Sequence, residues 1–458
     1  MAYRRSVCLT GIIILVIFLL PRGNNINAQE KSIEPVADVF SVMNLASGIE
    51  IDKLWPGFSV DEIPVLVYDS VNTYLFNCDK PAGDFVRSGQ DSGVWLYKGQ
   101  YPLVRGNSIT RIEDEWVATS VLSSYSRRTG ERYDLKDMAG IIVHEQFHIF
   151  QRTHHPGWLQ NDGLLLIYPK ETVEALLLRR MEKEAFKRAV VADTQEQITG
   201  WTKLGMKYRT ERLGMVAYEF AHYENELQLS EGLSDYIEKR AREQHPHAAM
   251  DITNGIAPAG IRDLGYVEGR WMAMILDRLS PGWKLHLEEN DSLFLEDILK
   301  DLVNMSPARM QEFETLEAGE MRKNAEDDFN MWQVQKHTEI KEFMEMPGFS
   351  IELNSPDNPF VIRLFEPLEI EIMDDGGVYH RLIFMAGNQQ GNIRIRNHPC
   401  ITWFNNAYRI TRLLLNGLQN EPGIDQATKK LLIKENGVSV ELKYSRIRRD
   451  TDSFVIDL

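Results

Sequence analysis

Cysteine is almost absent from this chain, with 3 residues among 458, at Cys8, Cys78 and Cys400. So few thiols exclude a disulfide-built scaffold and a thiolate zinc cage, so any bound metal must be held by imidazole and carboxylate. Basic charge is also short: 51 Lys and Arg stand against 67 Asp and Glu, a formal net charge of -16. A surface of that sign repels a phosphate backbone, so nucleic acid is not an expected partner. The longest apolar stretch, Val7 to Leu20, falls short of the roughly 20 residues that cross a bilayer. No internal repeat or low-complexity tract is present.

That stretch does fit another purpose. Arg4 and Arg5 precede it and Ile26-Asn27-Ala28 follows it, the order of a secretory signal cut before Gln29. The expectation is a secreted or periplasmic protein with no membrane span after cleavage. Cys8 precedes the apolar run instead of following it, the wrong side for lipid attachment. Losing Arg4, Arg5 and Arg22 takes the net charge to about -19. Cys78 and Cys400 remain as a pair that an oxidising compartment permits to form one disulfide.

The texture of the chain changes twice, which predicts an α+β protein. Short alternating runs such as Ile63 to Tyr68, Thr73 to Phe76 and Val94 to Tyr97 predict a small sheet within residues 29–130. From 131 to 346, apolar residues recur three and four apart, predicting helices over Asp134 to Arg152, Glu171 to Arg188, Glu231 to Arg242 and Val267 to Leu279. The charged stretch from Ser306 to Glu345 reads as a helical connector. Alternation returns after Pro347, for example in Phe360 to Leu364 and Val438 to Leu442, so residues 347–458 read as a mainly-β domain. The scattered Trp55, Trp158, Trp201 and Trp271 read as core anchors.

The strongest local signal is His144-Glu145-Gln146-Phe147-His148. A spacing of four puts both imidazoles on one helical face, a turn apart, where they can share a tetrahedral zinc ion. Glu145, one step round, can reach a zinc-activated water as general base without being a ligand. Ile141, Ile142, Val143, Phe147, Ile149 and Phe150 make this helix apolar nearly all round and hence buried. Buried histidines and a buried glutamate need partners, and a metal satisfies all three.

Glu231, in Ser230-Glu231-Gly232-Leu233-Ser234-Asp235-Tyr236, is the favoured third ligand, with Ser230 as helix N-cap. Asp235 lies four residues on, placed to accept the second N–H of a ligating histidine. Glu171 and Glu174 are rivals, closer in sequence but without a carboxylate four residues later. His154 and His155, before Pro156-Gly157, read as exposed loop histidines, and His245 and His247 as weaker candidates.

H-E-x-x-H followed by E-x-x-S-D, matched by Glu231, Ser234 and Asp235, resembles the gluzincin metallopeptidases, the thermolysin-like branch of the zincin fold. Glu-Gly-Leu-Ser-Asp-Tyr is similar to the E-G-L-A-x-Y phrase of secreted peptidases in that clan. The likeness extends over about residues 60 to 280 and implies a zincin-like catalytic core, zinc as cofactor and a peptide or protein substrate. It also points to Tyr266 as a donor to the oxyanion, against the plainer reading of a packing residue. One departure is the 83-residue step from His148 to Glu231, longer than in thermolysin-like members, which an inserted helical pair would explain. Two other functions fit the same residues: a zincin-fold module that binds protein around a non-catalytic zinc, or a zinc hydrolase of a non-peptide amide.

Overall fold

The computed structural model describes residues 39–50, 54–79, 81, 83–89, 93–122, 134–242, 258–405, 409–435 and 437–458. The signal segment, His245 and His247 lie outside these residues. Among them no helix is long and apolar enough to cross a membrane.

The amino-terminal part is helix α1 (Val39–Ser47) and six strands: β1 (Val65–Tyr68), β2 (Asn72–Phe76), β3 (Val86–Arg87), β4 (Trp95–Lys98), β5 (Ser108–Ile112) and β6 (Glu115–Val121). They form one sheet in the order β3-β4-β2-β1-β6-β5, antiparallel except for the β1–β6 pair. Strand period two sends Val65 and Val67 of β1 into the main core, while Leu66 joins a second cluster on the other face with Leu75 and Val117. Helix α2 (Leu135–His154) packs on β6 and α1. Asp134 caps it, accepting from the Asp137 amide, and Asp137 reaches back to the Asp134 amide.

Eight helices follow among the described residues, and these bring the distant ligand candidate home. α3 (Val173–Val191) and α4 (Gln195–Leu213), capped by Thr172 and Thr194, pack along each other. This helical pair fills the long step between His148 and Glu231. α5 (Tyr218–Leu227) runs without a break through a π-turn, Gln228–Gly232, into α6 (Leu233–Ala241). Ser230 is therefore no N-cap, contrary to expectation: Glu231 sits inside a continuous helix, in its one wide turn. α7 (Pro258–Leu279), α8 (Trp283–Glu288), α9 (Leu295–Met305) and α10 (Thr315–Met344) complete the region. Trp55, Trp158 and Trp271 are buried as anchors, while Trp201 is half-buried at the core's edge.

The carboxy-terminal strands form a seven-stranded and a six-stranded sheet. Val438–Lys443 alternates strictly, with Val438, Val440 and Leu442 facing inward. This core runs on into the helical region, because Leu227, Ile261, Tyr168 and Phe220 belong to the same cluster as Ile351, Phe360 and Ile433. Cys400 is buried there, whereas Cys78 packs beside the amino-terminal sheet, and no disulfide joins them. The disulfide that the sequence permitted does not form, since the two cysteines belong to different cores.

Candidate metal centre

α2 presents His144 and His148 toward the π-turn, and three side-chain atoms converge there. Nε2 of His148 is 3.1 Å from Nε2 of His144 and 3.2 Å from Oε2 of Glu231, and Oε2 is 3.9 Å from Nε2 of His144. These are the only described residues of their kind that cluster closely enough to hold a metal ion. Oε2 of Glu231 is buried and has no hydrogen-bond partner. An orphan acceptor of this kind costs about 1–3 kcal/mol, more when charged, unless something satisfies it. Two imidazole nitrogens and one carboxylate oxygen this close to one another could hold a metal ion.

The far nitrogens are held as well. Nδ1 of His148 faces Oε1 of Gln151 at 3.0 Å, and Ser234 Oγ is 3.2 Å from the same nitrogen. Gln151 in turn donates to the carbonyls of Leu229 and Ser230, tying α2 to the π-turn. Nδ1 of His144 is 3.1 Å from Oε2 of Glu238. Asp235 does not take this place, which corrects the reading from sequence: its carboxylate is held by Arg270 of α7. Glu238 lies seven residues beyond Glu231, two helical turns along, so both acids approach the same ring from one helix face.

The electrostatics draw a cation in. Burial pushes His144 down, but Glu231 and Glu238 outweigh it and raise the imidazole to about 10. Burial likewise favours the neutral form of Glu231, yet Arg262 and the two histidines hold its carboxyl well below the ordinary range. The site therefore pulls positive charge onto its nitrogens, and a divalent cation supplies that charge as a proton does. Glu145 is buried beside it, its carboxyl raised by desolvation against the pull of His144 and His148. No described residue makes a hydrogen bond to the Glu145 carboxylate, so both oxygens are available to a small polar guest.

Tyr266 lies at the same centre. Its ring is nearly parallel to that of His144, with centroids 6.1 Å apart. Desolvation and the Glu231 charge push the phenol well above its usual range, so it stays a neutral donor. It reaches this point because α7 approaches the π-turn at backbone contact: a Cβ on Gly269 would stand 2.6 Å from the Gln228 carbonyl and 2.7 Å from Cα of Gly232. The π-turn is anchored from behind by buried Arg209, which donates to Gln228 Oε1 at 3.0 Å and to Glu296 at 2.8 Å, while Gln228 donates to Glu268.

The rival ligands are elsewhere. Glu171 pairs with Arg179 in a buried charge network, and Glu174 with Arg322 at the surface. His154 is exposed, as expected of a helix end, but His155 is not: it is buried between Glu288 and Asp291, at 3.0 and 2.6 Å, and stacks on Trp158. Glu238 and Arg262 were missed by sequence reading. Helical spacing from Glu231 would have found Glu238, whereas nothing local marks Arg262. No family model, no curated protein and no solved structure matches this chain.

Proposed function

We propose that this chain is an exported zinc-dependent peptidase, with zinc held by His144, His148 and Glu231 and with Glu145 as general base. One observation carries the reading: the buried, unpartnered Oε2 of Glu231 faces both histidine Nε2 atoms, beside a buried glutamate whose carboxylate has no hydrogen bond among the described residues. Zinc bound by three such ligands supplies Lewis acidity, which brings the pKa of water near neutrality and polarises a carbonyl.

The chain's own residues do the rest. Glu145, raised by its burial, takes a proton from the attacking water and delivers it to the leaving amine. Tyr266 keeps its proton and can offer its O–H to the oxygen that gains charge as the peptide carbonyl is attacked. Glu238, Gln151 and Ser234 fix the two imidazole rings from behind. The substrate is a peptide or protein, and export rests on the basic, apolar and small-residue order of the first 28 residues.

The test is zinc content per chain, with chelator-sensitive cleavage of a mixed peptide library, in the purified protein and in Glu145→Gln and Glu231→Gln. The expected result is about one zinc per chain, with cleavage lost but zinc kept in Glu145→Gln and zinc weakened in Glu231→Gln. Zinc with no cleavage of any peptide overturns the peptidase reading and leaves a protein-binding module or a non-peptide amide hydrolase. No zinc overturns the site itself.

A further inference from the structure

The carboxylate of Glu231 is not symmetric in its surroundings. Oε2 faces the two histidine nitrogens and has no donor, whereas Oε1 accepts from Nη2 of Arg262 at 2.5 Å and from Nε2 of Gln160 at 3.2 Å. Arg262 is itself almost wholly buried, and its other arm, Nη1, donates to Asp162, a fully buried carboxylate that also accepts from the Tyr223 hydroxyl at 2.9 Å. A planar guanidinium with both arms engaged cannot rotate without breaking a buried charged pair. Its grip on Oε1 therefore fixes the rotation of the Glu231 carboxylate.

We infer that Arg262, braced by Asp162, is a positioning residue that makes Glu231 a one-oxygen metal ligand, with Gln160 as a lesser second donor. The inference rests on the metal reading above and adds what decides the coordination number. Two imidazoles and a single carboxylate oxygen leave a four-coordinate ion one open position for a guest. A carboxylate free to turn would offer both oxygens and fill it.

The experiment compares the unaltered protein with Arg262→Lys, Gln160→Ala and Arg262→Lys in a Glu231→Gln background. Zinc affinity is read by chelator competition, and the intensity of the visible bands is read after loading with cobalt(II), which weakens as coordination number rises above four. Thermal unfolding of the metal-free forms reports folding separately. Lysine keeps the charge but loses the fork, so Arg262→Lys is expected to weaken zinc about 10- to 100-fold and to dim the cobalt bands. Gln160→Ala should do the same in smaller measure, and it keeps the test open where the lysine variant fails to fold. In the Glu231→Gln background the lysine change should have no further effect on zinc, since it acts through Glu231. Folded variants with unaltered zinc affinity and cobalt spectrum overturn the inference while leaving the metal reading intact. An equal loss in the Glu231→Gln background also overturns it, because Arg262 then acts otherwise than through the Glu231 carboxylate. An unaltered protein that binds no zinc removes the metal reading and this inference with it.

Discussion

Replacing Gly269 with alanine sets two effects of opposite sign against each other. Alanine is the better helix former by about 0.8–1.0 kcal/mol, so propensity alone predicts a more stable α7. The added methyl, however, would stand 2.6 Å from the Gln228 carbonyl, 2.7 Å from Cα of Gly232 and 3.0 Å from Cα of Gln228. All three are backbone atoms, so no side chain can turn aside. Reaching the 3.4 Å of an ordinary contact requires α7 and the π-turn to part by about 0.8 Å. Overpacking of this kind costs about 1–3 kcal/mol, so the net expectation is a loss of about 0–2 kcal/mol, against a gain at an open position. The same movement carries Arg262 and Tyr266 away from Glu231, so zinc affinity should fall with stability. Gly319 supplies the control: it lies in α10 with nothing within 4 Å of its Cβ position, and Gly319→Ala should stabilise by about 0.5–1 kcal/mol. Denaturant unfolding of the metal-free proteins, with zinc competition on each, measures both quantities. A Gly269→Ala protein as stable as Gly319→Ala, with unaltered zinc affinity, would refute the claim that backbone contact between α7 and the π-turn builds the site.

Glu238→Gln should weaken zinc about 10- to 100-fold, because it removes the carboxylate facing His144 Nδ1, whereas Asp235→Asn should lower the unfolding temperature with little change in zinc; chelator competition and thermal unfolding separate the two, and the reverse pattern would restore Asp235 to the histidine. In the β sheets, buried His380 accepts or shares a bond with Thr402 Oγ1, and burial lowers its imidazole to about 3. Its folded value is below the unfolded one near 6.5, so the neutral form is the folded form. The stability it allows is present above pH 6.5 and is lost as pH falls toward 3, by at most about 1.4 kcal/mol per unit. Unfolding measured at several pH values should show that slope in the unaltered protein and a flatter one in His380→Asn.

What could be seen in the sequence was local in origin. The motif helix shows because its two histidines are four residues apart and its flanks are apolar, and α2 does run Leu135–His154 with His144 and His148 side by side. Periodicity likewise gave β1, β2, β4 and the alternating carboxy-terminal strands, but not β5 and β6, where Ser, Thr and Glu blur the pattern. Four-residue spacing from Glu231 points Asp235 at a histidine; in the fold it meets Arg270 instead. His155 follows the helix and precedes Pro156-Gly157, yet tertiary contact with α8 buries it.

By itself, then, the sequence determined that this is an α+β chain poor in thiols, with two histidines and a glutamate on one buried helix turn. Those facts depend on composition and on periods of two and 3.6, which a chain carries without knowing its partners. The tertiary structure alone decided which distant acid joins the histidines, which oxygen of it is left for a metal, and what grips the other. Glu231 arrives across the α3–α4 pair, Glu238 through helical phase, and Arg262 through a glycine contact between two helices. The contacts of Glu231 and Arg262 are long-range, set by how the packed helices exclude one another's volume, and no pattern of neighbouring residues encodes them.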